Sequence, residues 1–266
     1  MRARKQPSSD ADVAPENATG DRPLAFLVDG ENANASLAAE MLAEASKYGT
    51  VIIRKVYGDW SSPRMNAWRE VLGEHALVPV QQFPNISGKN AIDIALIVDA
   101  MDILHSGVVT GFCLASSDSD YTRLATRIRE AGLFAMGIGN ERTPDSLRNA
   151  CDIFVVTRNL APLEGPAPAR GKRATEADAR GRPPPKHALR ILEKAFSNVV
   201  GDDGLAHMSP LAEALRKLDP AFDPRTYGKT KLVDLIEALP ETFAVERRGA
   251  PGRGAVYVRR RRAPKG

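Results

Sequence analysis

The 266-residue chain is 43% hydrophobic, 26% charged and only 6% aromatic, and its 37 Lys and Arg against 33 Asp and Glu leave a net charge of +4. A balance this mildly basic allows a polyanionic partner without demanding one. Two cysteines, Cys113 and Cys151, and four scattered histidines exclude a disulfide framework, a zinc finger and haem attachment; with no apolar run of about 18 residues and no apolar stretch behind the basic N-terminus, neither a membrane span nor a secretory signal is predicted, and the expected location is cytoplasmic.

Residues 1–22 are polar and lack a hydrophobic period, so a disordered leader is expected there. Over residues 23–161, short runs rich in Val and Ile alternate with helical patterns. The runs at 24–28, 51–57, 76–80, 108–115, 133–138 and 153–156 have the composition of buried parallel strands. Between them, residues 36–48 carry Leu37, Met41, Leu42 and Ala45 at helical spacing, and residues 63–72 open with Pro63 near the first helical position. Residues 91–104 place Ile92, Leu96, Ala100 and Ile103 on one side, and residues 120–131 do the same with Leu124, Ala125 and Ile128 before stopping at Gly132. Thr143 is the expected N-cap of one further short helix. This alternation predicts a doubly wound α/β domain, a parallel sheet covered on both faces.

Residues 162–185 are rich in Pro, Gly, Ala and Arg and predict a flexible basic linker. Beyond it, helical patterns at 187–200, 211–218 and 229–239 precede two strand-like pieces, 243–247 and 255–259, around a Gly-rich turn. Three helices followed by a hairpin predict a winged-helix unit over residues 186–262.

In an open α/β sheet the working face lies beyond the carboxyl ends of the strands. Asp29 directly follows the first strand in LVDGEN, Asp118 and Asp120 follow the fourth in CLASSDSD, and Asp93 sits in the first turn of the helix entered through Ser87-Gly88-Lys89-Asn90. If the first and fourth strands are neighbours, these carboxylates converge. Their mutual repulsion is costly unless cations offset it, and oxygen-only ligands suit Mg²⁺ or Mn²⁺. Such an ion supports in-line attack of water on a phosphodiester. Taken singly, each acid also reads as a turn or helix-capping residue.

The segments Leu27-Val28-Asp29-Gly30-Glu31-Asn32, Lys89-Asn90-Ala91-Ile92-Asp93 and Ser116-Ser117-Asp118-Ser119-Asp120, in this order and spacing, resemble the NYN domain, the LabA-like branch of the PIN-like nuclease superfamily. The resemblance implies a metal-dependent ribonuclease in which Asp29, Asp93, Asp118 and Asp120 are both the catalytic and the metal-binding acids. It further implies substrate-side roles for Asn32, for Lys89 as a point charge on phosphate, and for Ser116, Ser117 and Ser119 near a helix start.

The segments from Asp203 to Leu211, from Pro220 to Gly228 and from Lys231 to Ile236 resemble the OST-HTH (LOTUS) domain. That resemblance implies RNA binding or contact with a protein partner. Arg225, Lys229 and Lys231, clustered at the start of the third helix, are the expected RNA-binding residues. The reading for the whole chain is an endoribonuclease with a tethered RNA-binding winged helix. Its alternative is a non-catalytic RNA-binding regulator on the same scaffold.

Overall fold

The computed structural model describes residues 22–83, 91–161, 181–248 and 255–261. The expected leader, the loop containing Lys89 and most of the expected linker lie outside the described residues.

Six parallel strands form the first sheet: β1 (Pro23–Asp29), β2 (Thr50–Gly58), β3 (Val78–Gln81), β4 (Gly111–Ala115), β5 (Phe134–Gly139) and β6 (Ile153–Val156), in the spatial order β3-β2-β1-β4-β5-β6. β1 and β4 pair along their length, from Leu24 opposite Gly111 to Val28 opposite Ala115, and the strand order reverses between them. This is the switch point at which doubly wound sheets open a crevice.

Strand alternation assigns the two faces. Leu24, Phe26 and Val28 pack with Ala38, Met41, Met65 and Trp68, which belong to α1 (Ala38–Ala45), α2 (Asn66–Val71) and the turn before α2. Ala25 and Leu27 pack instead with Leu96, Ala100, Leu124, Ile128 and Leu147 of α3 (Ala91–Ser106), α4 (Thr122–Glu130) and α5 (Asp145–Ala150). Leu24, Phe26 and Leu27 are fully enclosed, and burial of each contributes about 1.5–3 kcal/mol.

The second unit comprises α6 (Leu189–Val199), β7 (Leu205–His207), α7 (Met208–Leu218), α8 (Leu232–Glu237), β8 (Phe243–Arg248) and β9 (Ala255–Arg260). Leu192, Phe196, Leu211, Leu215, Leu235, Ile236, Phe243 and Val258 form its core. The expected hairpin is a three-stranded antiparallel sheet, β7-β9-β8. β7 has three residues, too few to show an alternation. Gly228 closes the turn before α8 at φ 72°, a backbone conformation that glycine adopts at no steric cost.

The two units are docked. The second unit lies against the free edge of β6 and the end of α1. Ile153, Phe154 and Val155 share an interdomain cleft of about 360 Å³ with Leu215, Pro220 and Phe222. The Phe154 amide, on an edge strand, donates to the Pro220 carbonyl at 2.9 Å. Arg225 makes a two-pronged ion pair with Glu44 of α1, Nη1 and Nη2 each 2.9 Å from a carboxylate oxygen, and its Nε donates to Asp223 at 2.9 Å. Asn159 donates to the Thr226 hydroxyl at 2.9 Å.

Burial alone would raise the Glu44 carboxyl, but the hydrogen-bonded Arg225 guanidinium and Lys47 ammonium outweigh it and hold the group below the usual glutamate range. A depressed acid contributes its stability above its unfolded-state pKa and loses it as pH falls through the folded-state value. Thermal unfolding of the full chain should therefore show an intact Glu44 contribution above the ordinary value of 4.5, and a loss only at more acidic pH. In Glu44→Gln that acid-dependent component should be absent.

Candidate functional site

The crevice beyond β1 and β4 gathers the acids. Asp93, Asp118 and Asp120 each offer a carboxylate oxygen, and these oxygens lie within 4.8 Å of one another. Two elements bring them together. Asp93 is in the first turn of α3, Asp118 caps the 3-10 turn Ser119–Tyr121, and Asp120 lies inside that turn. The cap is an Asp118 Oδ1 that accepts the Asp120 amide at 3.0 Å. Asp93 and Asp118 are half-buried and Asp120 is exposed, so the cluster opens to solvent.

Asp29 stands behind this set. It is 1% exposed, and its carboxylate accepts from the Glu31 and Asn32 amides at 3.3 Å, from Asn32 Nδ2 at 2.7 Å and from Ser116 Oγ at 3.0 Å. Gly30 allows this packing: a Cβ there would come within 2.8 Å of the Tyr57 carbonyl, to which the Gly30 amide donates.

Burial first, and then the charges of Asp29, Asp118 and Asp120, push the Asp93 carboxyl above the usual aspartate range, while a hydrogen bond from Tyr121 opposes the shift. The site thus carries the repulsion that a cation relieves. The donor set, oxygen only and open on one side, fits Mg²⁺ or Mn²⁺.

The substrate-side expectations divide. Ser116 is buried; it donates to Asp29 and accepts the Asp118 amide at 3.1 Å. Ser117 Oγ accepts the Asn140 amide at 2.9 Å. Both hydroxyls shape the loop, and that of Ser116 spends its one proton on Asp29. Asn32 orients Asp29 through its amide, Ser119 is exposed beside the acids, and Lys89 lies outside the described residues. Arg225 is corrected: its guanidinium is committed to Glu44 and Asp223, leaving no fork for phosphate. Lys229 is half-buried and Lys231 exposed.

Sequence reasoning missed two groups. Tyr121, 1% exposed, donates from its hydroxyl to Asp93 Oδ1 at 2.7 Å and ties the start of α3 to the Asp118 turn. Further along α3, Asp99 accepts from Lys55 Nζ at 2.7 Å and from the Tyr57 hydroxyl at 2.5 Å, which pins the helix to β2. Lys55 and Tyr57 are two apart on a strand, so they share a face; that alternation is the signal that could have found them. Tyr121→Phe should leave the fold intact and weaken Mn²⁺ binding by about tenfold, the low end for losing a group that orients a metal ligand. Isothermal titration of the full chain reads this directly.

The fold and site define a doubly wound α/β domain with an acidic crevice, joined to a winged helix. The family model for the NYN domain matches residues 23–160 and that for the OST-HTH/LOTUS domain matches residues 183–254. The chain belongs to the NYN-domain family, within the PIN-like nuclease superfamily, and carries an OST-HTH/LOTUS domain after it. Among solved structures it is similar to a protein of unknown function from Vibrio parahaemolyticus (19% identity, 53% of this chain and 95% of that one, TM-score 0.43). It is also similar to an uncharacterized protein from Nitrosomonas europaea (30% identity, 39% of this chain and 94% of that one, TM-score 0.28). None of the curated proteins matches it. No helix among the described residues is long and apolar enough to cross a membrane.

Proposed function

We propose that the chain is a metal-dependent ribonuclease that hydrolyses RNA phosphodiesters, with the winged-helix domain contributing RNA binding. The observation that carries this reading is the convergence of Asp93, Asp118 and Asp120 in the crevice of an NYN domain. These three carboxylates would hold Mg²⁺ or Mn²⁺. When bound, such an ion supplies charge stabilisation at a phosphodiester and a lowered pKa for water.

The protein's own groups set the geometry. Tyr121 fixes the rotamer of Asp93, and the backbone cap fixes Asp118. Asp29, clamped by Asn32 and Ser116, adds a buried negative charge behind the open set and strengthens its preference for a cation. Asp120, the most exposed of the three, leaves the set open to solvent, the side an RNA strand would reach.

The test is incubation of the purified full chain with end-labelled single-stranded RNA, with Mn²⁺ or with EDTA. Internal cleavage leaving 5′-phosphate ends is expected only with the metal. RNA bound but uncut in Mn²⁺ would overturn the reading in favour of a non-catalytic RNA-binding regulator.

A further inference from the structure

Docking decides which side of the winged-helix domain is open to a long ligand. Arg225 is held by Glu44, and Thr230 and Leu232 line the interdomain cleft with Lys47 and Tyr48. Part of the approach to α8, where the sequence places a basic cluster, is thereby taken up by the joint between the domains, while Lys231 stays exposed.

A second basic surface lies on α6. From the 3-10 turn Pro185–Ala188 through α6, the exposed ionisable side chains are Lys186, His187, Arg190 and Lys194, with no acid among them. Arg190 and Lys194 are four residues apart on α6 and so share one side of the helix, about 6 Å apart along its axis, and Lys186 lies in the turn before it. The one acid of α6, Glu193, is half-buried and paired at 2.6 Å with Arg260 of β9. That ion pair brings the end of β9 against the same helix; Arg259, on the other face of the strand, pairs with Glu246 at 2.9 Å. Asp202 and Asp203 follow beyond the far end of α6.

The surface is charged but not greasy. Among the described residues of this domain, Val200 is the one large apolar side chain that is exposed. Stable protein interfaces are built on buried aromatic or apolar anchors, whereas a nucleic-acid backbone requires only positioned cations. We propose that the winged-helix domain holds the phosphate backbone of single-stranded RNA on the face formed by α6 and the end of β9, and not at the start of α8.

This assignment rests on the reading of the chain as an RNA-acting protein, and the test is arranged to keep the two apart. Binding of a fluorescein-labelled single-stranded RNA is measured by anisotropy in EDTA, where cleavage plays no part, across a series of salt concentrations. Arg190→Glu/Lys194→Glu should weaken binding at least tenfold. The milder Arg190→Gln/Lys194→Gln should lower the log–log salt slope by roughly 1.4, at about 0.7 for each phosphate that is no longer neutralised. Lys229→Glu/Lys231→Glu should stay within twofold of the parent. Circular dichroism checks that each variant is folded. An equal or larger weakening in the Lys229/Lys231 variant overturns the assignment, as does poly-aspartate displacing the RNA at equal charge concentration. If the parent chain cleaves RNA in Mn²⁺ but binds none in EDTA, the α6 face is refuted while the nuclease reading stands.

Discussion

Asp118→Asn is expected to abolish metal-dependent RNA cleavage, by roughly 10²–10⁴-fold, while leaving the fold in place. The size follows from removing one anionic ligand: an ion's charge stabilisation of the reaction amounts to several kcal/mol, and each 1.36 kcal/mol is tenfold in rate. The fold should survive because Asp118 has a second job that asparagine can perform. Its Oδ1 accepts the Asp120 amide at the head of the 3-10 turn, and Asn caps such turns about as well as Asp. The variant therefore separates charge from scaffold. Asp29→Asn should behave differently. Asp29 reaches its neighbours through hydrogen bonds and charge rather than as part of the converging set, so a weakening of Mn²⁺ affinity by about 10–100-fold is expected. Cleavage by Asp118→Asn at the parent rate would remove the acids from the chemistry.

The second large effect concerns the joint. Arg225→Ala leaves Glu44, whose side chain is only 5% exposed, with Lys47 but without its guanidinium, and takes the same guanidinium from Asp223. Breaking a pair of this kind costs about 3 kcal/mol, the lower end of the range because Arg225 retains some contact with water. For a chain of this size that is a fall in melting temperature of roughly 6–12 °C, measurable by scanning calorimetry. Replacing both partners, as in Glu44→Gln/Arg225→Met, should recover part of the stability, since no charge is then left at position 44, while Asp223 still loses its guanidinium. If the winged helix were merely tethered, Arg225→Ala would be an ordinary surface change with no resolvable shift.

The contrast between these two sites shows what a linear sequence reveals. The strands and helices of the NYN domain were legible because their periodicity is local: β1 is an uninterrupted apolar run, and α4 repeats Leu124, Ala125 and Ile128 on one face. The acids were legible because each follows a strand or opens a helix, where a doubly wound sheet puts its crevice. Their division of labour was not. Whether a carboxylate faces the pocket or is consumed by neighbouring donors depends on contacts such as Ser116 with Asp29, 87 residues apart. The contacts of Ser116 with Asp29 and of Ser117 with Asn140 were hidden for the same reason: they are brought in by pairing of β4 with β1 and β5. Tyr121 carries no mark of its role in the sequence: its ring is buried like that of any core aromatic, and only its hydroxyl reaches the site. Arg225 was least legible. Its partner Glu44 lies 181 residues away, and nothing in the spacing of either residue marks an ion pair between domains.

Docking also gives the chain a fixed geometry. The winged helix and the acid crevice are held together by an ion pair, a strand-edge hydrogen bond and apolar packing, so a strand bound across both would meet a preset path. The Lys55–Asp99–Tyr57 contact plays the corresponding part inside the first domain, holding the helix that carries Asp93 against the sheet.

Whether the three converging aspartates hold a divalent ion is decided by anomalous diffraction from crystals of the full chain soaked in Mn²⁺. A manganese peak is expected, bounded by carboxylate oxygens of Asp93, Asp118 and Asp120, with Tyr121 still bonded to Asp93. A crevice without manganese, at a concentration that supports RNA cleavage, would refute the metal site.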